Sequence, residues 1–136
     1  MSCHAVIDTN VLVSALLAKH EDSATVLVVD GIFSGEVIPV LSKPIFDEYH
    51  EVLRRKKFNF PENQIEILLR TIQKCGVVVE PTASGEIIPD IKDLPFYEVV
   101  MSTQNKHTHL VTGNMKHYPQ KPFIVTPSQF LEILRQ

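Results

Sequence analysis

A chain of 136 residues with 44% hydrophobic and 21% charged residues has the size and balance of one globular domain, and no run of about 18 apolar residues is present to span a membrane. The formal net charge of −3 argues against a grip on nucleic acid by bulk positive charge, so such a role needs a local basic patch or a metal bridge to phosphate. Cys3 and Cys75 are the only cysteines and form no metal-ligand spacing, and the opening Met-Ser-Cys-His-Ala-Val-Ile-Asp has no basic and apolar leader pattern; two free thiols in the cytoplasm are expected.

Residues 4–8 read as a short buried strand. The apolar residues Val11, Leu12, Ala15 and Leu16 fit a helix opening after Thr9-Asn10. A second helix covers 23–34 and stops at Gly35. Residues 37–40 look like a strand, weakened by Pro39. Ser42 suits the N-cap of a helix over 43–56, and another helix runs from Pro61 to Gly76. Val77 to Val79 form a third strand, followed by a loop over 81–92 and a helix from Asp93 to Asn105. Residues 109–112 and 123–125 are further strands, and Thr126-Pro127 opens a last helix. No repeat or linker divides the chain, so residues 1–136 read as a single domain. Alternating helices and apolar strands predict a three-layer α/β/α sandwich around a parallel sheet of about five strands. Ligands in such sheets bind beyond the carboxyl ends of the strands, where Asp8 and Thr112-Gly113-Asn114 fall.

Helical geometry narrows the sixteen acidic residues. Ile45, Phe46, Tyr49, Val52 and Leu53 share one face; Asp47 and Glu51 lie about 160° from its centre, and Glu48 only about 100°. Asp93 falls within about 60° of the face formed by Phe96, Val99, Val100 and Thr103, while Glu98 falls about 160° away. Taken singly, Asp93 has the ordinary reading of a helix N-cap and Glu48 that of a solvated acid. Asp8 ends an apolar strand, where a buried carboxylate needs a partner. Carboxylates turned into one crevice repel, so they require a cation or raised pKa values. Their hard oxygens suit Mg²⁺ or Mn²⁺, and such a site predicts phosphodiester hydrolysis.

Four segments carry a resemblance to a known family. They are Val-Ile-Asp-Thr-Asn-Val-Leu-Val-Ser-Ala-Leu (6–16), Ser-Lys-Pro-Ile-Phe-Asp-Glu-Tyr-His-Glu-Val-Leu-Arg-Arg (42–55), Asp-Ile-Lys-Asp-Leu-Pro-Phe-Tyr-Glu (90–98) and Leu-Val-Thr-Gly-Asn-Met-Lys-His (110–117). In this order the chain resembles the PIN-domain nucleases, and among them the toxin components of bacterial and archaeal toxin–antitoxin systems. The resemblance implies metal-binding, catalytic acids at Asp8, Glu48 and Asp93, a hydrogen bond from Thr9 near the metal, a loop braced by Asn10, and a supporting role for Thr112 and Gly113. It further implies an Mg²⁺- or Mn²⁺-dependent endoribonuclease with RNA as substrate, an antitoxin as partner, and a homodimer or higher homo-oligomer. The sequence departs at Asn114, where many relatives carry a fourth carboxylate; Asn114 and, below Asp93, Asp90 are the further metal candidates.

Arg54, Arg55, Lys56 and Lys57 form a basic run that reads either as a solvated helix end or as RNA phosphate contacts. Lys116 and His117 follow the Asn114 turn and are candidates for the same role. His107 and His109 find no companions for a zinc set and read as structural. Two other classes stay open. One is a phosphoryl-transfer or receiver-like domain using Asp8 as nucleophile, although a paired-aspartate phosphatase would want Asp at position 10, which is Asn10. The other is a catalytically impaired PIN fold that binds RNA or protein.

Overall fold

The apolar runs become a five-stranded, wholly parallel sheet in the computed structural model, which describes residues 2–136. The elements are β1 (Cys3–Ile7), α1 (Thr9–Leu17), α2 (Ala24–Ser34), β2 (Val37–Leu41), α3 (Lys43–Val52), α4 (Glu62–Cys75), β3 (Val77–Val78), α5 (Leu94–Ser102), β4 (His109–Val111), β5 (Ile124–Val125) and α6 (Pro127–Leu134). Short 3-10 turns lie at Ile91–Asp93, Gln104–Lys106 and Met115–His117. The helices cover the sheet to give the expected α/β/α sandwich: α2 packs with α1, β2 and α6, while α5 crosses β1, β2 and β4 and meets α3. Among the described residues no helix is long and apolar enough to cross a membrane.

Strand order is β3-β2-β1-β4-β5. The chain builds outward from β1 to β2 and β3, then returns to lay β4 on the other side of β1. The direction of growth therefore reverses between β1 and β4, which opens a crevice at their carboxyl ends. Ile7 and Val111, which end the two strands opposite each other, and Val6 and Leu110 just behind them are buried. Burying an aliphatic side chain of this size contributes roughly 1.5–3 kcal/mol, so the walls of the crevice belong to the most firmly held part of the fold.

Pro39 is accommodated in β2 because β3 begins opposite Val40, leaving no ladder partner on that side at Pro39. Gly76, where α4 meets this edge, has no room for a side chain: a Cβ would stand 2.5 Å from the Ile72 carbonyl oxygen and 2.9 Å from that of Pro39.

Two helices end earlier than their sequences predict. The expected helix over 43–56 stops at Val52, and the backbone tightens into three-residue turns in which Arg54 N donates to Glu51 O and Arg55 N to Val52 O. The expected helix to Asn105 stops at Ser102 because side chains take over the last carbonyls. Thr103 Oγ1 donates to Val99 O, and Gln104 Nε2 donates to both Val100 O and Thr108 O. At α6 the expected start holds, with Thr126 and Gln129 forming a reciprocal capping box.

Candidate active site

Asp8 is the first residue beyond β1. Its backbone N–H continues the sheet by donating to Val111 O at 3.0 Å, which draws its side chain to the switch point. It sits at the N-cap of α1, yet its carboxylate does not cap the helix. Instead Oδ2 accepts from Thr112 Oγ1 at 2.8 Å and from the Tyr118 hydroxyl at 3.0 Å. The residue is 4% exposed. Burial pushes its pKa up, against the pull of these hydroxyl donors.

Glu48 comes from α3, whose packed stripe runs through Ile45 and Tyr49. It is half-buried, whereas Asp47 and Glu51 on the same helix are exposed, as the helical-face argument predicts. The Thr9 hydroxyl donates to Glu48 Oε2. Burial raises the Glu48 pKa, the Thr9 bond opposes this, and the charges of Asp8 and Asp93 raise it further.

Asp93 occupies the N-cap position of α5, but its side chain makes no capping bond. Its Oδ2 lies 2.9 Å from His117 Nδ1. Its pKa is also raised, by burial and then by the charge of Asp8, with His117 pulling the other way.

Three carboxylates from three elements thus stand within range of one another's charge, all with raised pKa values. Among the described residues no group of three or more His, Cys, Asp and Glu side chains is gathered into a ready-made metal cage. The donor chemistry nevertheless fits a hard divalent cation. The oxygens are carboxylate, the burial and repulsion that raise their pKa values are what a cation relieves, and Mg²⁺ commonly binds through one or two carboxylates while keeping several waters.

A second layer joins the two loops. Asn10 Oδ1 accepts from Gly113 N at 3.0 Å, and Asn114 N donates to Thr112 Oγ1 at 3.0 Å. The expected brace by Asn10 therefore spans from α1 to the loop after β4. The Asn114 side chain is exposed and makes no hydrogen bond among the described residues. Asp90 Oδ1 accepts from Lys92 N at 2.9 Å, so this acid caps the 3-10 turn and adds its charge near Asp93.

The basic candidates fall into two groups, those paired with acids of this chain and those left exposed. Arg54 donates to Glu62 at 3.1 and 2.6 Å and to His50 O at 3.1 Å, and Arg55 pairs with Glu51 at 3.1 Å. Both guanidinium groups are therefore engaged with acids of this chain. His117 faces Asp93 instead of standing free for phosphate. Lys56, Lys57 and Lys116 are exposed and make no ion pair among the described residues.

Sequence reasoning missed two tyrosines. Tyr118 donates to Asp8, and burial with the surrounding acids pushes its pKa well up. Tyr49, fully buried, donates to Ile7 O beside Asp8. The available signals were an aromatic residue in the short loop after Asn114, and a phenol on the buried stripe of α3 needing a partner.

The family model for the PIN domain matches residues 4–116 of the chain. No curated protein and no solved structure matches it.

Proposed function

Because the chain belongs to the PIN-domain family, whose members are generally metal-dependent nucleases, we propose that residues 1–136 form one endoribonuclease domain that hydrolyses RNA phosphodiester bonds with Mg²⁺ or Mn²⁺. What supports this reading is that Asp8, Glu48 and Asp93, from three elements at the carboxyl end of the sheet, act on one another by charge and are held by Thr112, Tyr118, Thr9 and His117. These three residues would hold the metal, with Asn114 and Asp90 as outer candidates. When bound, the metal supplies positive charge to a phosphate oxygen and makes a water acidic enough to attack at neutral pH.

The side chains of this protein set the geometry. Thr112 and Tyr118 fix one oxygen of Asp8, so its carboxylate cannot rotate freely. Thr9 orients Glu48, and His117 orients Asp93. The Asn10–Gly113 bond keeps the loop after β4 against α1. Water attacks phosphorus in line and the 3′ oxygen leaves, giving the 5′-phosphate and 3′-hydroxyl ends that the family resemblance implies.

The test is incubation of RNA with the full chain in Mn²⁺, in Mg²⁺ and in excess chelator. Cleavage with 5′-phosphate ends in metal alone is expected; intact RNA at saturating metal overturns the reading. A second reading, a PIN fold that binds without cutting, draws on the open arrangement of the acids, and the same assay decides it. Trapping a phosphorylated Asp8 would favour the phosphoryl-transfer alternative; two hydroxyls already occupy Oδ2 of that residue.

Within this reading the chain acts in the cytoplasm as the toxin of a type II toxin–antitoxin pair and self-associates as a dimer or larger homo-oligomer. The expected companion is a small DNA-binding protein encoded next to it that suppresses the cleavage. A neighbouring product without effect on cleavage would remove the toxin assignment and leave the nuclease.

A further inference from the structure

We propose that the turn between α3 and α4, residues 54–60, is a subsite for single-stranded RNA, with an unpaired base stacking on the Phe58–Phe60 pair and phosphate contacts from Lys56 and Lys57. This rests on the ribonuclease reading and names how its substrate is gripped.

The segment reads Arg-Arg-Lys-Lys-Phe-Asn-Phe, four cations followed by two aromatics. The first two cations frame the turn. Arg54 holds Glu62 at the start of α4, and Arg55 holds Glu51 on α3. Lys56 and Lys57 project beyond that frame, exposed and outside any ion pair among the described residues. A locally positive surface thus survives on a chain of net charge −3.

The two aromatics are half-buried and stacked on each other. Phe60 packs against the hydrophobic core, but Phe58 is not among the residues that do so. Between them Asn59 is exposed in the left-handed region, at φ 54°. The two rings lie nearly parallel, 5.3 Å apart at 9°. Lys57 Nζ stands 5.1 Å over the Phe58 ring, on a flexible stem that can swing to a phosphate when a base takes its place. Arg54, Arg55, Lys56, Asn59, Phe60 and Glu62 line an open surface cavity of roughly 370 Å³ next to the Phe58 ring and Lys57. An aromatic stack beside exposed cations is the combination that holds single strands, because every base offers a π-face and the backbone offers charge.

The turn lies within reach of the acids. Arg55 lies in the turn three residues beyond Val52, the end of the helix that carries Glu48. Its positive charge acts on Glu48. A strand crossing the acids can continue onto the turn.

The experiment measures binding of a labelled, mixed-sequence 12-nucleotide RNA to the full chain in excess chelator, beside a duplex RNA and a DNA strand of the same sequence. F58A should weaken single-strand binding about tenfold or more with the fold retained by circular dichroism at the assay temperature, and leave duplex binding as it is. F58Y should restore binding, whereas F58L, apolar but unable to stack, should not. K56A and K57A should each lower the log–log salt slope by about 0.7. Wild-type binding by F58A or F58L, equal weakening for duplex, or tighter binding to the DNA strand would each overturn the proposal. If the wild type still cuts RNA in Mn²⁺ while the turn variants bind normally, only the subsite falls; if it neither binds nor cuts RNA, the ribonuclease reading falls with it.

Discussion

The two faces of α3 treat the same chemical group in opposite ways. On the outer face Asp47 pairs with Lys43 at 2.9 Å and Glu51 with Arg55 at 3.1 Å, all four side chains well exposed. On the inner face Glu48 is half-buried, meets the charges of Asp8 and Asp93, and has the Thr9 hydroxyl as its hydrogen-bond partner, with the charge of Arg55 a weaker offset. Exposed i,i+4 pairs contribute about 0.3–0.5 kcal/mol each. A buried acid facing other acids is a standing penalty. The helix pairs its outer acids with cations and leaves the inner one without a close one, and the proposed metal site rests on that contrast.

The sharpest way to break this comparison is to neutralise one acid on each face. Glu48→Gln should lower RNA cleavage by at least about a hundredfold, with far-ultraviolet circular dichroism unchanged. Residual cleavage near the wild-type rate would remove Glu48 from the site.

A smaller effect is expected from metal on stability. Wild-type protein should gain about 2.7 kcal/mol at metal concentrations 100 times the dissociation constant, read as a rise in melting temperature. Glu51→Gln should keep that rise, and Asp8→Asn should lose most of it. No rise in the wild type at saturating Mn²⁺ would mean that the inner acids do not form a metal site.

Smaller again is the effect of removing the inner charge without metal. The amide of Asp8→Asn still offers an oxygen to Thr112 and Tyr118 but carries no buried charge. In chelator at neutral pH it should therefore melt above wild type, by about 1 kcal/mol. Wild-type protein should show the matching pH dependence. Because the folded-state pKa values of Asp8, Glu48 and Asp93 are raised, the native chain holds protons that the unfolded chain releases. Metal-free stability should fall as pH rises from the ordinary carboxylate range through the raised values, then level off. Stability that climbs over that window would contradict the raised values.

The smallest effect belongs to the outer face. Glu51→Gln and Asp47→Asn should each change stability by less than about 0.5 kcal/mol and leave cleavage at the wild-type rate. A large loss from either would dissolve the contrast between the faces.

The sheet and its order of elements were legible because apolar runs and helical periodicity are local signals. The end of α3 was not: Arg54 to Lys56 favour a helix, but the chain turns after Val52 and Arg54 pairs with Glu62 across the turn, a contact between two elements. The end of α5 was hidden for a similar reason, since Thr103 and Gln104 compete for its carbonyls. In the candidate site, the inward turn of Glu48 and the placement of Asp8 follow from periodicity and strand ends. Periodicity also turned Asp93 inward, but not toward His117, a contact across 24 residues. Tyr118 reaches Asp8 across 110 residues, beyond any local pattern. The Glu51–Arg55 pair was readable as an i,i+4 spacing and weakens the reading of Arg55 as a free phosphate contact.

The insertion of β4 beside β1 also sets a clock. Asp8 receives its hydroxyl partners from Thr112 and Tyr118, which lie 104 and 110 residues further along the chain. At about 5–20 residues per second of synthesis, those partners emerge on the order of ten seconds after Asp8. During that interval the growing chain carries its first acid without the groups that orient it, and β1 waits for its neighbour on one side.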